Sequence, residues 1–128
     1  MKAKYTVGLS LLTGIAIGGA AIQTLHAQAK PPVYAIALNQ LTDAEGYAKD
    51  YLPKGRAAII AHGGVYVAAG KGTVITGDAP HDRIVVLKFE SLDAVKAWFN
   101  SADYQAANKV GQKYAHYNIL AVDGVPAK

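Results

Sequence analysis

Cysteine is missing from the 128-residue chain. That excludes disulfides, thiolate metal sites, a cysteine nucleophile and a lipid-acylated anchor together. No Gly-x-Ser-x-Gly elbow is present, which excludes a serine hydrolase of that design. Gly70-Lys71-Gly72 lacks the length and the trailing residues of a phosphate-cradling loop and reads as a turn. His62, His81 and His116 stand at none of the spacings that hold a metal, and no acid-rich motif accompanies them. Neither a metal site nor a cofactor is expected.

Basic charge is also sparse once the N-terminus is set aside. Lys2 and Lys4 precede an uncharged stretch, Tyr5–Leu25, rich in Val, Leu, Ile, Ala and Gly, and Ala27-Gln28-Ala29 supplies small residues where a signal peptidase reads. This order is expected of a secretory signal peptide over residues 1–29. The stretch is also long enough for a retained membrane anchor, but Gly8, Gly14, Gly18 and Gly19 weaken it and Gln23 and Thr24 interrupt its end. Both readings place a single domain, residues 30–128, outside the cytoplasm, secreted or periplasmic, with no membrane attachment after cleavage. The two leader lysines carry half of the formal charge of +4. The remaining basic residues are scattered among nine acids rather than gathered in a stripe, so no nucleic-acid partner is expected.

What is present is hydrophobic alternation. Val33–Asn39 sets Tyr34, Ile36 and Leu38 on one face and Val33, Ala35 and Ala37 on the other. Both faces are apolar, so both are expected to be covered, and the small side chains of the second admit a close neighbour. Thr42-Asp43-Ala44-Glu45 reads as a capping box in which Thr42 accepts from the Glu45 N–H, opening a helix that runs to about His62. Tyr47 and Tyr51 share a face of that helix. Pro53 predicts a kink or two helical pieces, because it disfavours helical geometry at Leu52. Gly63-Gly64 ends the helix.

Val65–Ala69 reads as a second strand, Thr73–Thr76 as a short extended piece, and Arg83–Glu90 as a strand carrying Ile84, Val85, Val86, Leu87 and Phe89. Ser91 caps a helix with Leu92, Val95, Trp98 and Phe99 as its buried stripe; Asn100 ends it, and Ser101 caps the next, which carries Tyr104, Ala107, Gly111 and Tyr114. His116–Asp123 is the last strand. The order β-α-β-β-α-β, with the second helix split, is the ferredoxin-like α+β unit. Its antiparallel sheet has helices on one face, and the other face needs a cover. A second copy of the chain would supply one, and a domain of this size without disulfides gains from it.

The runs YAIALNQLTDAEGYAKDY, HGG and GDAPHDRIVVLKFESLDAVKAWFNSADYQ resemble the domain-of-unknown-function family 1330, a member of the dimeric α+β barrel superfamily. The resemblance covers Val33–Gly124 and is carried best by Gly63-Gly64, the Arg83–Phe89 strand with Ser91, and Trp98 followed by Ser101 and Tyr104. It implies a homodimer whose two four-stranded sheets close a dimeric α+β barrel, and it brings no established activity. Relatives often carry an arginine in the helix after the tyrosine. Here the segment reads Asn108-Lys109-Val110-Gly111-Gln112-Lys113, so Lys109 or Lys113 would have to replace it, without the planar fork of a guanidinium.

The candidate ligand-binding residues are Tyr47, His62, Tyr66, Arg83, Trp98 and Tyr104. Tyr34, Tyr47, Tyr51, Tyr66 and Tyr104 offer apolar bodies with hydroxyl tips, which suits a small aromatic or amphiphilic molecule, although tyrosine serves cores and interfaces equally. Arg83 stands where a loop enters a strand, either paired with Asp82 or Asp78 or anchoring a carboxylate. His62 stands at a helix end, where it meets the dipole, or acts as a general acid or base in a pocket. Trp98 reads first as a core or interface residue. The sequence supports an exported, homodimeric small-molecule-binding domain. Two alternatives stay open: a cofactor-independent monooxygenase-like or isomerase-like enzyme acting on a small aromatic, and a structural or stress-related dimer without a specific ligand.

Overall fold

The computed structural model describes residues 30–78 and 82–126. The expected signal peptide and His81 lie outside the described residues. Among those described, no helix is long and apolar enough to cross a membrane.

Four strands form one antiparallel sheet: β1 (Val33–Leu41), β2 (Val65–Gly70), β3 (Arg83–Phe89) and β4 (Ala115–Asp123), in the order β2-β3-β1-β4. Between them come α1 (Ala44–Gly46), a π-helical turn (Tyr47–Tyr51), α2 (Leu52–Ala61), α3 (Leu92–Asn100) and α4 (Ala102–Gly111). This is the ferredoxin-like α+β unit. Thr73–Thr76 forms no strand and belongs to the loop after β2.

The first helix departs from its expected form at two points. Asp43, not Thr42, is the cap, accepting from the Gly46 N–H at 3.0 Å. The Thr42 N–H is taken instead by the Tyr114 carbonyl at 2.7 Å. The interruption falls before Pro53 as a π turn, in which the Leu52 N–H reaches back to the Tyr47 carbonyl. Pro53 thereby enters the first turn of α2, where its missing N–H leaves no hydrogen bond broken. Leu52 stays helical, against the usual preference before proline. At the other end, Gly63 has φ +84°, and the N–H groups of Gly63 and Gly64 bond the carbonyls of Ile60 and Ile59, closing a Schellman cap.

Ser91 and Ser101 cap α3 and α4 as expected, accepting from Ala94 N and Tyr104 N. The Ser101 hydroxyl also donates to the Trp98 carbonyl at 2.6 Å, so one side chain closes α3 and opens α4. The sheet face bearing Val33, Ala35 and Ala37 receives the helices; its small residues let Trp98 and Tyr104 pack down until each is 1% exposed. The opposite face carries Tyr34, Ile36 and Leu38, Ile84 and Val86, and Leu120 and Val122, the last two half exposed.

Candidate functional site

Registry across the sheet sets Arg83, Asn39 and Tyr117 on one rung of the helix-facing side, with Asn39 between the other two. The next rung is Val85, Ala37 and Ile119. Tyr47 and Tyr51, delivered by the π turn, cover these rungs with ring centroids 5.0 Å apart, and Tyr117 leans against both. The Tyr51 and Tyr104 hydroxyls are 2.8 Å apart. Asn39 Nδ2 donates to the Tyr47 hydroxyl at 3.3 Å, and the Arg83 guanidinium lies 5.9 Å from the centre of the Tyr47 ring.

These residues, with Tyr66 and Trp98, line an inner cavity of about 20 Å³, room for one water-sized group. Four of the lining residues bring a buried polar atom without a hydrogen-bond partner among the described residues: Asn39 Oδ1, Arg83 Nε, Trp98 Nε1 and the Tyr117 hydroxyl. Buried polar atoms are paired in the great majority of native proteins, so four around one cavity mark it chemically. Burial raises the pKa of the Tyr47, Tyr51, Tyr66 and Tyr117 hydroxyls and pushes Tyr104 up to about 12. The Arg83 charge offsets part of the rise at Tyr47. All five therefore carry their protons at neutral pH. The side chains lining the cavity include no carboxylate.

An open groove of about 740 Å³ lies between α3, α4 and β4. Its body is apolar, from Leu92, Val95, Phe99, Ala115, Ile119 and Ala121, and its polar groups come from Lys96, Asn100, Asn108, Gln112 and His116. Trp98, Tyr117 and Ile119 line both the groove and the inner cavity, and so stand between them.

Five of the six candidates, Tyr47, Tyr66, Arg83, Trp98 and Tyr104, thus meet around the inner cavity. His62 lines neither space. It is the C-cap of α2, and its Nε2 lies 2.9 Å from Asp103 Oδ1. The Ser101 hydroxyl first, and His62 second, hold the Asp103 carboxyl below its usual range. Arg83 forms no ion pair with Asp82 or Asp78 among the described residues; Asp82 accepts from the Leu41 N–H instead. Tyr34 faces away from the cavity, on the helix-free side of the sheet, because it alternates with the cavity-facing residues of β1. Leu92, expected in the core, is 44% exposed at the groove. Lys109 and Lys113 are exposed and line neither space.

Sequence reasoning missed Asn39, Tyr117 and the groove. Asn39 had a legible signal, a lone amide on the small apolar face of β1. The groove had none, because it arises from the angle between two helices and an edge strand. Among the described residues, no group of three or more His, Asp or Glu side chains could hold a metal ion.

A four-stranded antiparallel sheet in this order, with helices on one face and cavities between the layers, defines a ferredoxin-like α+β protein. The chain belongs to the family described as domain of unknown function (DUF1330), whose model matches residues 32–125. No curated protein matches it. Among solved structures it is similar to a protein of unknown function from Rhodopseudomonas palustris, at 17% identity and TM-score 0.63 over 83% of this chain and 92% of that one. SnoaB, a cofactor-independent oxygenase from Streptomyces nogalater, matches at 8% identity and TM-score 0.57 over 74% of this chain and 94% of that one. A dimeric protein of unknown function and ferredoxin-like fold from Bacteroides fragilis matches at 18% identity and TM-score 0.53, over 73% and 96%. At these identities the likeness is one of fold.

Proposed function

We propose that the chain is an exported, homodimeric domain that binds a small, planar, amphiphilic molecule between its helices and its sheet. The observation that carries the reading is the groove of about 740 Å³, apolar along its length with a few amide and cationic groups. That volume and lining are those of a small-molecule site. The export reading rests on the N-terminal sequence pattern. The dimer reading rests on the apolar helix-free sheet face and on the fold shared with a protein described as dimeric.

Trp98 is the single tryptophan and lines the groove, so its fluorescence reports occupancy. Small aromatic acids, phenols and quinones titrated against the exported protein are expected to quench or shift it saturably. Ala121→Phe, which fills the groove from β4, is expected to abolish the response. Native mass spectrometry of the same material is expected to show a dimer starting at Lys30. A flat titration across the panel, with no retained mass on the dimer, would sink the binding reading.

A second reading, cofactor-independent oxygenation of an aromatic substrate, is favoured by the polar cluster of Arg83, Asn39 and the tyrosines behind the groove wall. The fold shared with SnoaB supports it at the level of architecture. Oxygen uptake on mixing the protein with hydroxylated aromatics, without added cofactor, tests it; no uptake with any ligand that shifts Trp98 fluorescence would exclude it.

A further inference from the structure

We infer that the inner cavity is a subsite for one anionic oxygen, the carboxylate terminus of a ligand whose body lies in the groove. This rests on the groove being the binding site. Trp98 and Asn39 are 1% and 2% exposed, both line the cavity, and each has a buried polar atom without a partner among the described residues. Arg83 Nε and Trp98 Nε1 are donors without acceptors among the described residues. The Tyr47 hydroxyl accepts from Asn39, which leaves its own proton to donate, and the Tyr51–Tyr104 pair uses only one of its two protons. Against these donors stands a single free amide acceptor, Asn39 Oδ1, and no lining carboxylate.

A donor-rich, cationic site among buried side chains favours an anion over a neutral group, because charge-assisted hydrogen bonds are stronger than neutral ones and gain strength away from bulk water. The volume sets the class further. About 20 Å³ takes one oxygen and not a ring. The ring stays in the groove, and Trp98, Tyr117 and Ile119, the side chains common to both spaces, form the boundary that the carboxylate crosses.

The test compares benzoate with benzamide, of the same shape but neutral, by Trp98 fluorescence on the full exported protein. Benzoate is expected to bind at least about tenfold more tightly, equivalent to 1.4 kcal/mol. Two variants locate the preference. Arg83→Gln removes the cation, and Ala37→Val takes up cavity space from the sheet and leaves every polar side chain in place. Both are expected to remove the preference, so that benzoate and benzamide bind each variant with equal affinity, with circular dichroism confirming the fold of each. Formate that competes with benzoate and not with benzamide would further support the subsite and show that it also takes a free anion. Equal affinity for the two probes, or a preference that survives both variants, overturns the inference and leaves the groove reading standing. If neither probe reaches Trp98 while a phenol or quinone does, the subsite inference falls and the groove reading stands.

Discussion

At the residue scale the tyrosines decide how the protein responds to base. Tyr47, Tyr51, Tyr66, Tyr104 and Tyr117 all have hydroxyls raised above the ordinary tyrosine value, mainly by burial. The unfolded chain loses these protons near pH 10 and the folded chain holds them longer. Where the unfolded state binds fewer protons, stability falls as pH rises. Full stability is therefore expected below about pH 10, with a steep loss above it. Tyrosinate absorbance should rise late and together with loss of the tertiary circular dichroism signal; an early rise in the folded protein would contradict the burial argument. Gly111 is a second residue-scale test. A Cβ there would collide with the Tyr117 hydroxyl and the Tyr51 ring. Gly111→Ala is expected to cost about 1–3 kcal/mol by overpacking, measured by urea denaturation.

At the scale of elements, Ser101 is the joint between α3 and α4. It accepts from Tyr104 N and donates to the Trp98 carbonyl, and Trp98 and Tyr104 pack with ring centroids 4.5 Å apart. Ser101→Ala is expected to lower stability by about 1 kcal/mol or somewhat more, seen as a lower Tm with the fold retained. His62 ties the end of α2 to the start of α4 through Asp103. Both side chains are substantially exposed, so Asp103→Asn is expected to change stability little at neutral pH. The sign of its pH dependence is fixed. The carboxyl is held below its usual range, so its contribution is present above the unfolded value and fades as pH falls through the folded one. A larger loss on acidification in the unaltered protein than in Asp103→Asn is the expected outcome.

At the scale of the whole molecule, the helix-free face is the outstanding feature. Leu120 is 56% and Val122 50% exposed there, alongside Tyr34, Ile36, Leu38, Ile84 and Val86. Lys88 and Asn118 share this otherwise apolar face, and an exposed apolar face on a small domain suits a contact surface. A second copy covering it would remove both β1 faces from water. Leu120→Lys is expected to shift the protein toward monomer in sedimentation without unfolding it, because the position is exposed in the single chain. A protein that is monomeric without any substitution would refute the dimer.

The order of elements, both serine caps and the Gly63-Gly64 stop were legible in the sequence, because each depends on residues three or four apart along the chain. So was the family. The two faces of β1 were legible too, since alternation fixes them, but not which element would pack on the small residues at Ala35 and Ala37. The site was legible only as a list. Tyr47, Tyr66, Arg83, Trp98 and Tyr104 come from the π turn, β2, β3, α3 and α4, and no local rule places them around one cavity. His62 was legible as a helix-end residue, which it is; its alternative role in the pocket fails, because the end of α2 turns it toward Asp103. Sheet registry put Asn39 between Arg83 and Tyr117, and the angle of α3 and α4 over β4 opened the groove. Local propensity and periodicity act over a few residues, so the sequence by itself determined the elements and their faces. Cavities form where side chains distant in sequence fail to fill the space between layers, so only the tertiary structure decided them.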